Sequence, residues 1–247
     1  MSTQLEVNGV SKRFGGVVAN HQISLQVGTG EIVGIIGPNG SGKTTLFNSI
    51  VGSHPIDEGS IAFEAEEISR LRVAQIARRG LLRTFQQTRI YANMTCVQNM
   101  LISVPHTRET VLSMLSRFPQ ERYEEADELL EFVGLYPKRH LQAGELSFGQ
   151  QKLLEFAMAL MNKPRMLLLD EPTAGINPTL INGLLERLRH ANQELGITLL
   201  VIEHNMRVIM NLAERIYCLA HGELLAEGRP EEIRDDQRVI DAYLGAH

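Results

Sequence analysis

The densest chemistry in the chain lies in nine consecutive residues, Gly37-Pro38-Asn39-Gly40-Ser41-Gly42-Lys43-Thr44-Thr45. The spacing Gly37-x4-Gly42-Lys43-Thr44 is that of a phosphate-binding loop. Its glycines let the backbone curl into a ring of N–H donors around phosphate oxygens. Lys43 supplies a mobile positive charge for β- and γ-phosphates, and Thr44 a hydroxyl for Mg²⁺. A second acidic pair, Asp170-Glu171, ends the apolar run Met166-Leu167-Leu168-Leu169. Asp170 is placed to hold Mg²⁺ through water. Glu171 is placed to polarise an attacking water, a role worth roughly 10²- to 10⁴-fold in rate. The two clusters together imply a nucleotide site.

The elements that must carry these groups can be read from periodicity. Residues 31–36 contain the continuous apolar run Ile32-Val33-Gly34-Ile35-Ile36, as in a strand buried on both faces, and Leu46, Phe47, Ile50 and Val51 follow the loop at helical spacing. Strand, loop and helix therefore arrive in the order a phosphate loop requires. Residues 4–10, 22–27 and 58–64 alternate and read as antiparallel strands. Residues 166–169 and 197–202 read as further buried strands. Helices are expected over 178–195, opened by Asn177-Pro178, over 205–213, and over the tail 230–244, with a hairpin over 215–227 turning at His221-Gly222. From about 88 to 162 strand patterns give way to helical ones, including the acidic stretch 121–131, which reads as a solvated helix face. The expected fold is one α/β domain: a mostly parallel phosphate-loop core with an N-terminal antiparallel β subdomain (1–87 and 163–247) and an inserted α-helical subdomain (88–162).

Composition narrows the function. With 43% hydrophobic and 21% charged residues in 247, the chain can build a sizeable core and is not a disordered protein. A net charge of −5 gives no footprint for a nucleic-acid backbone. Cys96 and Cys218 lie far apart without CxxC partners, which fits a reducing compartment and excludes a disulfide framework. The apolar runs are strand-sized, so no membrane span is expected, and the polar N-terminus has no signal-peptide pattern.

Leu146-Ser147-Phe148-Gly149-Gln150-Gln151, lying between the two phosphate-site clusters, resembles the signature motif of ABC-type ATPases. The order Phe14, phosphate loop, Gln86, signature, Asp170-Glu171 and His204 is similar to that family from end to end. The resemblance implies a head-to-tail dimer with two ATP molecules sandwiched between chains. It assigns Ser147, Gly149 and Gln150 to the partner chain's γ-phosphate, and Phe14 to stacking on adenine. Gln86 would reach Mg²⁺ and the lytic water, with Gln87 as its neighbouring rival, and His204 would contact the γ-phosphate. Two positions depart from the common pattern: Phe148 stands where Gly is usual, and Asn177 stands in a loop that usually carries Asp.

Three classes of work are open to such a chain: energy coupling in a membrane transporter, a soluble non-transport ABC ATPase, and a phosphate-loop kinase or GTPase, which the signature disfavours. No long coiled coil intervenes between Lys43 and Ser147, and one ATPase domain argues against twin-domain translation factors. The stretches Arg13-Phe14-Gly15-Gly16, Arg83-Thr84-Phe85-Gln86, Ala174-Gly175-Ile176-Asn177-Pro178, Glu203-His204-Asn205-Met206 and Ala242-Tyr243-Leu244-Gly245 are similar to ATPases of branched-chain amino acid importers and their amide and urea relatives. That resemblance implies permease subunits, a second ATPase chain and, indirectly, a periplasmic or extracellular solute-binding protein as partners. It also implies a peripheral location on the cytoplasmic face of the membrane. A lipopolysaccharide-export ATPase shares some of these features. Thr88, Arg89, Ile90, Tyr91 and Met94 form the expected permease-facing patch.

Overall fold

The computed structural model describes residues 2–84, 90–104 and 118–244. These divide into two compact units: Met1–Arg83, Arg165–Pro172 and Arg189–His247 in the first, Thr84–Pro164 and Thr173–Leu188 in the second. The expected insertion was 88–162; the second unit also takes in 173–188, so the unit boundary falls directly after the Asp170-Glu171 pair.

The first unit holds every described strand, in two sheets. The four-stranded sheet has the order β2-β1-β4-β5, from β1 (Thr3–Phe14), β2 (Val17–Gly28), β4 (Glu58–Phe63) and β5 (Glu66–Glu67), and its pairs are antiparallel. The six-stranded sheet has the order β10-β9-β3-β8-β7-β6. Its strands are β3 (Ile32–Ile36), β6 (Leu81–Arg83), β7 (Met166–Asp170), β8 (Thr198–Ile202), β9 (Arg215–Ala220) and β10 (Glu223–Gly228). All its pairs are parallel except β9–β10.

The continuous apolar runs account for the parallel strands, since β3, β7 and β8 are buried at every position. Side chains of both sheets meet in one core that includes Leu5, Ile23, Ile61, Val33, Leu168 and Leu200, with Phe47 and Ile50 of α1 (Lys43–Ile50). Burying a side chain of Phe47's size contributes about 1.5–3 kcal/mol. The other helices of this unit are α2 (Val73–Ala77), α7 (Met206–Leu212), α8 (Pro230–Asp235) and α9 (Gln237–Leu244).

The second unit contains α3 (Cys96–Ile102), α4 (Gln120–Phe132) and α5 (Phe148–Leu160). It also holds the first part of α6 (Pro178–Leu195), whose last turns belong to the first unit. Thr95 and Ser147 open α3 and α5 with capping boxes to Gln98 and Gln150. The acidic α4 buries Ala126 and Leu130.

Three local expectations are revised. β1 and β2 run well beyond 4–10 and 22–27, to a turn at Gly15-Gly16, because register shifts between Val7 and Arg13 break the alternation that periodicity relies on. The short β6 carries too few residues to show a pattern. The tail is two helices rather than one: Asp236 is extended, and its carboxylate accepts the Arg238 N–H at 2.8 Å, starting α9 afresh. Among the described residues, no helix is long and apolar enough to cross a membrane.

Candidate nucleotide site

β3 delivers the chain to Gly37, and α1 takes it away from Lys43. Gly42, at φ 96°, has no room for a side chain: a Cβ there would stand 2.3 Å from the Ala19 carbonyl and 2.4 Å from Asn20 Nδ2. Asn20 Nδ2 donates to the Gly42 carbonyl at 3.1 Å, so β2 fixes the turn into α1. Asn39, Gly40 and Thr44 lie on the exposed side, Pro38 and Thr45 are half-buried, and Ser41 and Lys43 are buried. Lys43 Nζ turns back on its own loop, donating to the carbonyls of Gly37 (2.8 Å) and Pro38 (2.9 Å) and to Ser41 Oγ (3.4 Å). Burial pulls its ammonium below the ordinary lysine value, opposed by the charges of Glu171 and Asp170. A cation so placed, with backbone N–H groups and the start of α1 beside it, is suited to polyphosphate.

Asp170, at the end of β7, is only 1% exposed. Its Oδ2 receives Arg83 Nη2 at 2.5 Å, and the same guanidinium donates from Nη1 to Asn48 Oδ1 at 2.5 Å. Arg83 thus joins β6, β7 and the phosphate-loop helix. Among the described residues, Asp170 Oδ1 is buried without a hydrogen-bond partner. A buried anionic oxygen left over in this position, with the Thr44 hydroxyl exposed on α1, fits a hydrated Mg²⁺ held mainly by substrate phosphates.

Glu171 has φ 49°, unusual for a residue with a side chain, and its N–H donates to the Ile202 carbonyl at 2.9 Å. The bent backbone turns its carboxylate to His204, whose Nε2 lies 2.7 Å from Glu171 Oε1. His204 comes from the end of the neighbouring strand β8 and is 38% exposed. Asn205, after it, caps α7 by accepting the Val208 N–H at 3.3 Å. Phe14 ends β1 with 46% of its surface exposed. His54 meets its ring edge-on at 5.5 Å between centroids, and Lys12 Nζ lies 5.3 Å from it. A half-free ring of this kind can accept a flat base. Gln86, and Gln87 beside it, lie outside the described residues, as do Thr88 and Arg89.

Within the second unit, Ser147 is exposed at the start of α5. Its N–H donates to Gln150 Oε1 at 3.1 Å, and its Oγ accepts the Gln150 N–H at 3.4 Å. Gln150 Oε1 also accepts Lys138 Nζ at 3.0 Å, so this side chain closes the cap. Phe148 is exposed on one side and lies against Gly175 on the other, while Gly149 is buried close to Leu180 and Ile176. Ile90 and Met94 are half-buried and Tyr91 exposed; buried Asn99 pins this segment through the Tyr91 N–H and the carbonyls of Tyr91, Met94 and Thr95.

The structure therefore gathers the phosphate loop, Asp170, Glu171 and His204 in one unit and places Ser147, Gly149 and Gln150 in the other. Motif reading passes over Arg83 and Asn48 as site residues. Arg83 stands in a quoted stretch, but only the fold reveals its partner.

A family model described as ABC transporter matches residues 20–174. The chain belongs to the ABC transporter family. A second model, described as branched-chain amino acid ATP-binding cassette transporter, matches residues 223–247. As a family member the chain is an ATP-hydrolysing cassette that binds adenine nucleotide. It is 41% identical to the high-affinity branched-chain amino acid transport ATP-binding protein BraF of Pseudomonas aeruginosa, over 98% of this chain and 97% of that one. Among solved structures, it is similar to the ADP conformation of an ATP-binding cassette of an ABC transporter (TM-score 0.90, 35% identity, covering 99% of this chain and 100% of that one). It is also similar to a dimeric post-hydrolysis state of an ATP-binding cassette bound to ADP and Pi (TM-score 0.77, 27% identity, 92% and 98% covered).

Proposed function

We propose that the cassette is the energy-coupling ATPase subunit of an importer for branched-chain amino acids or related small amides or urea. The observation that carries the solute class is the near-full-length likeness to a branched-chain amino acid transport protein, extended by the matched segment 223–247. The chain would work as one of two head-to-tail ATPase subunits, held on the cytoplasmic face of the membrane by separate permease subunits and served indirectly by a solute-binding protein outside. Tyr91, Ile90 and Met94, with Thr88 and Arg89, are the proposed permease contact.

The resting contacts suggest how the cycle runs. ATP enters with adenine on Phe14, and its phosphates draw Lys43 Nζ away from the Gly37 and Pro38 carbonyls. N–H groups of the loop and the start of α1 take the phosphate charge. Thr44 and Asp170 Oδ1, with Gln86, would hold Mg²⁺, which would supply positive charge to the phosphates. Arg83 keeps Asp170 aimed from behind. Glu171 then exchanges His204 for the attacking water and accepts a hydrogen bond from it, while His204 Nε2 turns to the γ-phosphate. Ser147 and Gly149, steadied by Gln150, meet the γ-phosphate of the partner chain with the positive end of α5. Hydrolysis removes the group that both chains hold, and the pair can open.

The test is purification of tagged Glu171→Gln chain from native membranes in mild detergent with ATP, followed by uptake assays in cells lacking the chain. Polytopic membrane subunits and a second ATPase chain should be recovered, and uptake of leucine, isoleucine and valine should fall. Recovery of soluble proteins alone, with uptake intact, would overturn the importer reading.

A further inference from the structure

We infer that Tyr243, on the C-terminal helix α9, is a positioning residue of the phosphate loop. Its hydroxyl accepts the N–H of Gly37, the first residue of that loop, at 2.8 Å across 206 positions of sequence. Gly37 is held at two further points. Its carbonyl accepts Lys43 Nζ at 2.8 Å, and a Cβ on it would stand 2.1 Å from the Leu219 carbonyl of β9. The grip on the carbonyl is temporary, because Lys43 must leave it for phosphate. The Tyr243 bond uses the N–H, which Lys43 does not touch, so it does not depend on where Lys43 goes.

Several features hold Tyr243 in place. Val239 of α9 is buried, and the Asp236 carboxylate fixes the first turn of the helix. Burial pushes the Tyr243 hydroxyl up to about 12, so it stays a neutral acceptor throughout the working range. The helix lies in the segment 223–247 that a family model of its own recognises, separate from the one matching 20–174. A separate C-terminal segment thus carries a support for the phosphate loop.

Two effects follow. The bond pre-orders the loop, so its loss should weaken polyphosphate binding by what one buried neutral hydrogen bond contributes, about three- to tenfold in affinity. Coupling is also reciprocal: nucleotide that orders the loop should tighten α9.

The inference rests on the nucleotide site proposed above, and the test separates the two. ADP affinity is measured by calorimetry, and amide hydrogen exchange across 237–244 is followed with and without ADP, in the full chain and in Tyr243→Phe. The wild type should bind ADP and show slower exchange in α9 on binding. Tyr243→Phe, which keeps the ring, should bind ADP about three- to tenfold more weakly and lose most of the ADP-dependent slowing. A purely structural tyrosine would change exchange in α9 without making it depend on ADP. Equal ADP affinity in the two proteins, or slowing that survives in Tyr243→Phe, overturns the inference. Failure of the wild type to bind ADP would overturn the nucleotide site itself.

Discussion

The first unit keeps its chemistry in self-contact, whereas the second displays it. Lys43 sits on its own loop carbonyls, Asp170 on Arg83, and Glu171 on His204. In the second unit Ser147 and one side of Phe148 face outward, steadied by a local cap and by Gly175. In the proposed cycle the hydrolytic groups are therefore already assembled within one chain but held at rest by contacts that ATP would displace. The signature needs no such release. Its groups are pre-set by a helix start.

The largest effects should come from breaking the first unit's resting pairs. Glu171→Gln should lower kcat by about 10²-fold or more while ATP affinity stays within a few-fold, since the amide keeps the shape but loses the base. A variant retaining more than a few per cent of turnover would mean that His204 does not shield a catalytic base. Next in size is Lys43→Ala. Losing charge-assisted bonds to phosphate should weaken ATP binding by about 10²-fold in an equilibrium titration. Unchanged affinity would show that Lys43 never leaves the loop carbonyls.

A smaller change is expected in the second unit. Ser147→Ala removes the cap oxygen, costing about 1 kcal/mol of stability. It should leave ATP affinity of the isolated chain within twofold yet reduce turnover by about tenfold, because in the proposed dimer the groups it presents serve another chain. Equal losses in binding and turnover would erase the contrast between the units.

What the sequence reveals follows the same division between local and distant. The phosphate loop, the Asp170-Glu171 pair and the Ser147 cap are contiguous in the chain, and their residue types state their chemistry directly. The bonds that aim them are not contiguous: Arg83 reaches Asp170 across 87 positions and Tyr243 reaches Gly37 across 206. No local pattern encodes such pairs, and an arginine before Gln86 or a tyrosine near the C-terminus has too many ordinary uses to be singled out. The buried strands were legible because a parallel strand covered on both faces is apolar throughout. The far ends of β1 and β2 were not, since Lys12, Arg13, Val17 and Val18 follow no inside–outside alternation once the register shifts. The assignment of 173–188 to the second unit depends on packing at Gly149, Gly175 and Leu180 that spacing does not reveal.

That packing can be tested by itself. Gly175 has φ +74°, and a Cβ there would come within 2.9 Å of the Phe148 ring. Gly175→Ala should lower the melting temperature by a few degrees through strain of about 1–3 kcal/mol. Adding Phe148→Ala should recover part of the loss, because it removes the clash and leaves only the backbone cost. Strictly additive effects would mean that the ring does not rest on this loop, and that the signature and the loop after Glu171 are not joined there.

The smallest effect is one of pH, read on the first unit. In the first unit, burial raises Cys218 from 9.0 to about 11, and Tyr217 and Tyr243 from 10.0 to about 12. Each of these acids holds its proton longer in the folded chain than in the unfolded one. The unfolded state therefore releases protons first, and stability, complete below about pH 9, falls as pH rises through 9–12. Tyr217→Phe removes one such group along with its hydrogen bonds to the Gln26 backbone. The variant should start from a lower melting temperature at pH 7 but lose less of it between pH 10 and 12 than the wild type. Parallel curves would show that the alkaline loss originates elsewhere, and that buried Tyr217 does not set the pH limit of the unit that holds it.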